Sequence, residues 1–323
     1  MKIVIPGGSG KVGNLLSGAF HEHGHEVVVL SRQPAAAAWR VVSWDGVTLG
    51  DWASEIDGAD VVINLAGRSV NCRYTAENRR AIIDSRIAST RVVGHAIARA
   101  SRPPRVWLQS STATIYAHTF GAPHDERSGR LGGQEADAPA SWAFSIEVAR
   151  GWEKALDLAV TPRTRKVALR SAMIMSTETG GILDTLLVLV RRGLGGPAGD
   201  GRQFISWIHQ QDFISAIEWL IAHDDIDGIV NVASPNPLPN TDFMRILRHE
   251  AGVPFGLPST KWMLAIGAVF MRTETELILK SRRVIPGRLI DGGFVFRYPR
   301  WEEAAHDLVA AWYRARAGTS HAA

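Results

Sequence analysis

Cysteine is almost absent from this chain: Cys72 is the single one in 323 residues. One thiol cannot close an internal disulfide, so the fold must hold by its core, and the composition suits a reducing cytoplasm. Cys72 itself reads as a small packing residue. No apolar run reaches the ~20 residues of a membrane-spanning helix; the longest, Trp262 to Met271, is short and gives way to charge. An excess of one charge is also missing, with 36 Lys and Arg against 32 Asp and Glu, a net +4 scattered along the chain. The basic cluster Lys280-Ser281-Arg282-Arg283 has no base-stacking aromatic motif beside it, and it reads as a solvated helix end rather than a nucleic-acid contact. His21, His23 and His25 lie close together, but no carboxylate or cysteine spacing completes a metal site. An apolar run with Lys2 opens at the first residue, so no signal peptide is expected. There is no internal repeat.

A hydrophobic fraction of 46% and a charged fraction of 21% describe an ordinary globular protein. The length suffices for one large α/β domain or a main domain with a smaller lobe. The organising stretch is Ile3-Val4-Ile5-Pro6-Gly7-Gly8-Ser9-Gly10-Lys11-Val12-Gly13, a strand, a tight turn and the start of a helix that continues through Leu15, Leu16 and Phe20. Gly7 can take the turn's backbone angles, Gly10 lets main-chain N–H groups approach a pyrophosphate, and Gly13 lets the helix pack on the strand. The N–H groups and dipole at the helix start favour a bound phosphate. This is the pattern of a dinucleotide site. A second strand, Glu26 to Leu30, ends in Ser31-Arg32, where an acidic residue would bind the ribose hydroxyls of NAD. Arg32, with Lys11 as a second cation, instead suits the 2′-phosphate of NADP(H), in preference to NAD(H).

Further strands are expected at Arg40 to Trp44, Ala59 to Gly67, Arg105 to Gln109, Lys166 to Arg170, Phe204 to Ile208 and Ile229 to Val232. Helices are expected over 75–100, 140–158, 210–222, 241–250, 261–280 and 301–316. In a doubly wound parallel sheet the carboxyl ends of strands face the ligand, so Asn64-Leu65-Ala66-Gly67 passes beside the cofactor, and Ser110-Ser111-Thr112-Ala113-Thr114-Ile115-Tyr116 arrives at the same edge. The segment from His118 to Pro139, rich in glycine and proline, reads as a mobile flap. Residues 1–175 with about 205–234 make the dinucleotide-binding domain. A smaller, mainly helical lobe comes from about 176–204 with 235–317, and 318–323 form a disordered tail. The cleft between domain and lobe is the expected substrate site.

Taken together, several segments resemble the extended short-chain dehydrogenase/reductase superfamily, and within it the atypical YfcH-like subgroup, an epimerase family. They are the glycine turn, Val62 to Gly67, Asp84-Ser85-Arg86, Ser110 to Ala113, Trp152-Glu153, Gly193 to Gln203 with Ser206-Trp207-Ile208-His209, Asn231 to Pro237, Val284-Ile285-Pro286, and Gly292 to Pro299. The resemblance implies a Rossmann sheet, NADP(H) and hydride transfer between nicotinamide and a carbonyl or alcohol. It places Thr112 at the Ser/Thr that binds the substrate oxygen. The Tyr and the Lys four residues later are missing; counting back from Trp152-Glu153, they fall at about Ser145 and Ala149.

Candidates to replace the lost proton donor are Tyr116, His209 and Lys154, of which Tyr116 is carried forward with Thr112 as catalytic. Cofactor contacts are expected from Gly7, Gly8, Ser9, Gly10, Lys11, Val12, Gly13, Ser31, Arg32, Asn64, Leu65, Ala66, Gly67 and Ser110. Ser111, Arg202, Gln203, Trp207 and His209 are the expected substrate contacts. Arg170 and Arg202 each suit either an anionic substrate or an internal ion pair. Glu147 and Glu153 read as a solvated face or an internal helix contact. Two functions follow: an NADP(H)-dependent oxidoreductase or epimerase-like enzyme with a small polar substrate, or an NADPH-binding sensor or scaffold without hydride transfer. Either is a cytoplasmic monomer or homodimer, without membrane or nucleic-acid partners.

Overall fold

The computed structural model describes residues 1–135, 138–258 and 276–319. Its frame is a seven-stranded parallel sheet: β1 (Lys2–Pro6), β2 (Glu26–Ser31), β3 (Arg40–Ser43), β4 (Val61–Asn64), β5 (Val106–Thr112), β6 (Arg165–Ser171) and β10 (Gly228–Val232). The spatial order is β10-β6-β5-β4-β1-β2-β3, so the winding reverses between β1 and β4. This is the doubly wound arrangement, with its ligand crevice expected at the reversal.

Side chains alternate across the strands, and both faces are covered. Ile3, Ile5, Val27, Val29, Val61, Ile63, Val106, Leu108, Val167 and Leu169 point into one core with Leu16 and Phe20 of α1 (Lys11–Glu22). The same core takes Phe213, Ile217 and Leu220 from α5 (Gln210–Ala222). Val4, Val28, Leu30, Val62, Trp107 and Ala168 face the other way, onto Val93 and Ile97 of α2 (Ala76–Arg99) and Leu156 of α3 (Ala143–Asp157). Burial on both sides explains why these strands read as continuous apolar runs. Thr75 caps α2 by accepting the Asn78 N–H, and Pro103-Pro104 stops the chain from continuing the helix.

A separate core gathers Met175 of β7 (Met173–Met175), Leu183 and Leu187 of α4 (Ile182–Arg191) and Trp207 of β9 (Trp207–His209). Phe243 and Leu247 of α6 (Asn240–Glu250) and Trp301, Leu308 and Trp312 of α9 (Trp301–Thr319) complete it. Trp301 stacks on Phe243 at 4.0 Å and meets Trp207 edge-on at 4.9 Å. Truncating a buried Trp of this kind to Ala costs about 3–5 kcal/mol.

The expected single strand from Phe204 to Ile208 is two. Ser206 breaks it, because its buried hydroxyl donates to the Arg282 carbonyl and accepts the Val284 N–H. β8 (Phe204–Ile205) then pairs with β11 (Leu238–Pro239), and β9 with β7. Helix α4 and strand β7 lie where no element was expected, although Leu183, Leu187 and Val190 of α4 stand at helical spacing. Of the helix expected over 261–280, residues 261–275 lie outside those described, and Glu276–Leu279 form a short helix, α7. A further turn of helix, α8, spans Gly287–Asp291. The tail expected over 318–323 is corrected at its start, since α9 runs through Thr319; residues 320–323 lie outside those described. Among the described residues no helix is long and apolar enough to cross a membrane.

Candidate functional site

The carboxyl ends of β1, β2 and β4 converge on the glycine turn. Gly7 N–H donates to the Leu30 carbonyl and Leu65 N–H to the Pro6 carbonyl, both at 2.9 Å. Gly7 has φ +75°, and a Cβ there would lie 2.6 Å from Ala66 Cα. A Cβ on Gly13 would sit 2.3 Å from the Gly8 carbonyl oxygen, so Gly13 packs on the turn itself rather than on the strand. Gly10 is different: a Cβ would meet nothing nearer than the Gly7 carbonyl at 3.7 Å. Gly10, the N-cap of α1, is therefore the one glycine of the turn where a Cβ would make only an ordinary contact. Arg32 is exposed. Ser31 is buried and bonds Ser9 Oγ at 3.1 Å, which ties the end of β2 to the turn. Lys11, expected to face a phosphate, donates its Nζ to the Thr179 carbonyl.

Beyond β4 the chain is held rather than free. Asn64 is fully buried, donating to Gln109 Oε1 at 3.0 Å and accepting the Ala66 N–H at 3.1 Å. Its amide shapes the turn, a correction to its expected contact with cofactor. Ser85 Oγ accepts the Arg68 N–H, and Arg86 donates to the Arg68 carbonyl while lying over the Trp152 ring. The Asp84-Ser85-Arg86 segment thus pins the loop that Leu65, Ala66 and Gly67 begin.

β5 extends three residues past its expected end and carries Ser110, Ser111 and Thr112 as strand residues. Thr112 is half-buried, and its Oγ1 accepts the Thr114 N–H at 3.1 Å, leaving its hydroxyl proton free to donate. Ser111 is buried and donates to Glu153 Oε1 at 2.6 Å, so it is corrected from substrate contact to internal support. Glu153 grips Arg170 with both oxygens at 2.8 Å. Of the two roles expected for Arg170, the internal ion pair is the one present. Glu153, expected on a solvated face or in a contact within its helix, instead joins α3 to β5 and β6; Glu147 and Lys154 are exposed.

Tyr116 is corrected too. Its ring is 2% exposed, stacked on His124 at 5.5 Å with the Arg170 guanidinium 4.9 Å from its centroid, and its hydroxyl donates to Asn231 Oδ1 at 2.9 Å. Burial pushes this phenol above its usual range, with Arg170 opposing. That placement suits a core residue and not a proton donor. The following segment, read as a mobile flap, is tied down: His124 N–H donates to the Arg283 carbonyl, and Glu135 accepts the N–H groups of His118 and Gln134. A cleft of about 530 Å³ opens along it, lined by His118, Thr119, His124, Arg130 and Glu135; no residue of the glycine turn reaches it.

With Ser111, four of the five expected substrate contacts are interior. Gln203 is 2% exposed and donates to the Ala198 carbonyl at 2.9 Å. Trp207 belongs to the second core. His209 is fully buried: Nδ1 accepts the Gln211 N–H at 3.1 Å, capping α5, and Nε2 lies 3.2 Å from Asp307. Arg202 alone is exposed, near the Phe120 ring.

Burial lowers the His209 pKa to about 4, against the attraction of Asp307. The unfolded chain binds a proton here near pH 6.5, so between about 4 and 6.5 it holds more protons than the native state, and stability falls as pH falls through that window. The shift corresponds to roughly 3 kcal/mol at most. His209→Asn, which can still cap α5, is expected to flatten this acid limb relative to the natural chain in urea titrations at stepped pH. Parallel curves would remove His209 as its source.

Of the Lys280-Ser281-Arg282-Arg283 cluster, expected as a solvated helix end, Lys280, Ser281 and Arg282 are at least nine-tenths buried and Arg283 is half-buried, which corrects that expectation. Sequence reasoning missed them because a run of cations ordinarily marks a surface. His23 pairs with Glu218 at 2.7 Å, and among the described residues no three His, Cys, Asp or Glu side chains gather as metal ligands.

The model of the NAD dependent epimerase/dehydratase family matches residues 3–146, and that of a domain of unknown function, DUF1731, matches residues 260–308. The epimerase family protein YfhF of Bacillus subtilis is 30% identical over 319 residues, with 96% of this chain and 98% of that protein covered. The epimerase family protein SDR39U1 of Homo sapiens is 29% identical over 318 residues, covering 96% and 100%. The crystal structure of human SDR39U1 with NADPH superposes with a TM-score of 0.83 at 26% identity, over 96% of this chain and 99% of that one. A nucleoside-diphosphate sugar epimerase from Corynebacterium glutamicum gives a TM-score of 0.74 at 28% identity, over 96% of this chain and 58% of that one.

Proposed function

The chain belongs to the epimerase family, and from that membership we propose that it is an NADP(H)-dependent oxidoreductase or epimerase-like enzyme of the YfcH-like subgroup, acting on a small polar substrate. The carrying observation is the turn after β1, where Gly7, Gly8 and Gly13 are packed against backbone and the fourth glycine, Gly10, at the N-cap of α1, would meet only one atom with a Cβ, at 3.7 Å. A pyrophosphate fits beside Gly10, and Arg32 at the end of β2 suits a 2′-phosphate. The related SDR39U1 structure with NADPH supports the choice of cofactor. Bound there, the cofactor would supply or accept a hydride.

Thr112 orients the reacting oxygen through its free hydroxyl proton, with Ser110 one turn of the strand earlier on the same side. Arg202 is the remaining side chain suited to an anionic group on the substrate. The domain built on the sheet holds the nucleotide, and the lobe built on the second core carries the substrate. Cys72 as a lone thiol favours a cytoplasmic setting, as monomer or homodimer.

Titration with NADPH and NADH tests the reading. Losing one charged hydrogen-bond partner costs about 1.5–3 kcal/mol, so Arg32→Ala is expected to weaken NADPH roughly 10- to 100-fold and to leave NADH unchanged. Failure of either nucleotide to bind the natural chain would overturn it.

A further inference from the structure

Arg86 of α2, which lies outside every expected contact, stands at the edge of the crevice with part of its guanidinium unused. Nη1 donates to the Arg68 carbonyl at 2.9 Å and to the Ile82 carbonyl at 3.0 Å. Nε and Nη2 make no hydrogen bond among the described residues, yet neither is sealed from solvent. The plane of the group is held by the Trp152 ring, 4.9 Å from its centroid. Gly67 packs beside it, where a Cβ would lie 3.1 Å from Arg86 Cγ and 3.2 Å from Cζ.

These neighbours fix the position of the free edge. β4 and β5 run parallel with Asn64 beside Gln109, and Gly67 and Thr112 each stand three residues further on. Trp152 precedes Glu153, which holds the Ser111 hydroxyl at 2.6 Å. The guanidinium is therefore framed by the loop leaving β4 and by the turn of α3 that supports the end of β5. In the sheet order, β1 with its glycine turn separates this place from β2, whose end carries Arg32. An anion at Arg86 thus belongs to the substrate side of the crevice, since the charges of the nucleotide are met at α1 and β2.

A guanidinium withdrawn from water is stable only where something answers its charge. Burial lowers the Arg86 pKa to about 10, and the groups acting the other way are Tyr74 and Cys72, a phenol and a thiol, with no carboxylate. Arg165, Arg170 and Arg282 are desolvated by burial too, and each has an acid acting on it: Asp224, Glu153 and Glu276. Arg86 is the exception. Its unused Nε–H and Nη2–H form the side-on fork that matches two oxygens of one anion. Arg170 grips Glu153 with the same pair of atoms.

We propose that Arg86 anchors an oxyanion of the substrate, so that the molecule bound at Thr112 carries a carboxylate or a phosphate held by Nε and Nη2. The proposal rests on the reading of the crevice as the substrate site, and it narrows the substrate class from small polar molecules to small acids and phosphate esters. Two carbonyls, a ring and Gly67 set the fork before the anion arrives, so little ordering remains to oppose binding.

The test is a titration of the full chain in anion-poor buffer, with and without NADPH, followed through the Nε–H resonance of Arg86, which is identified by its loss in Arg86→Lys. Inorganic phosphate and acetate are the probes. A saturable shift of that resonance is expected with one or both, the stronger response telling a phosphate site from a carboxylate site, and it should persist with NADPH bound. Arg86→Lys keeps the charge without the fork, and by calorimetry it should weaken the probe roughly 10- to 100-fold while NADPH affinity stays. Arg86→Gln should lose saturable binding altogether. A resonance that neither probe moves would overturn the anchor, as would equal probe affinity in Arg86→Lys. Expulsion of the probe by NADPH would overturn it as well, by giving the anion to the nucleotide. If the natural chain binds no NADPH, the cofactor reading falls on its own, and the titration without nucleotide still decides Arg86.

Discussion

Glu153→Ala is expected to destabilise the protein by about 3–5 kcal/mol, because it strands a guanidinium in the interior. The Arg170 side chain is 5% exposed and that of Glu153 15%, and their two parallel hydrogen bonds are both 2.8 Å. Among the described residues no other carboxylate pairs with Arg170, so its charge would be left facing the Tyr116 ring and the Ser111 hydroxyl that Glu153 had also accepted. Glu153→Gln should cost less, since the amide keeps one acceptor for Arg170 or Ser111. Replacing both partners, Glu153→Leu with Arg170→Met, should recover most of the loss, as buried ion pairs commonly give way to apolar pairs at little net cost. Urea unfolding of the four proteins measures this directly. A loss below about 1 kcal/mol in Glu153→Ala, the range of exposed pairs, would show that water reaches Arg170.

The sheet was legible because its signals are local. A buried parallel strand needs an apolar run on both faces, and Ile3 to Ile5, Val27 to Leu30 and Val61 to Ile63 supply it without help from elsewhere. Gly7 and Gly13 were equally legible as residues that could not carry a side chain, although the atoms excluding a Cβ at Gly13 belong to Gly8 and not to the strand. The site was harder to read, because the role of a polar residue depends on which distant residue meets it. Ser111, Glu153 and Arg170 are separated by 42 and 17 positions and form one cluster. His209 and Trp207 carry the residue types of a binding site, yet packing against Asp307 and Trp301 turns them inward. Lys280 meets Thr114 across 166 positions, and no periodicity in a single sequence encodes that meeting.

The contrast between Gly10 and Gly13 gives the second large effect. Gly13→Ala places a methyl group 2.3–2.4 Å from three backbone atoms of Gly8, which cannot rotate away, so α1 or the turn must move. Overpacking of this kind costs about 1–3 kcal/mol or more, and displacement of the helix start would abolish nucleotide binding together with the lost stability. Gly10→Ala meets no such obstacle. Its φ of −80° and ψ of 170° are open to any residue, and the nearest atom is 3.7 Å away. Its stability should stay within about 1 kcal/mol of the natural chain, the usual scale of a change at an N-cap. The methyl group does, however, stand where a pyrophosphate would meet the first N–H groups of α1, so NADPH affinity should fall at least tenfold. Thermal unfolding paired with NADPH titration separates the two. If Gly10→Ala binds NADPH as the natural chain does, the surface beside Gly10 is not the phosphate cradle, and the nucleotide must be sought elsewhere along the sheet edge.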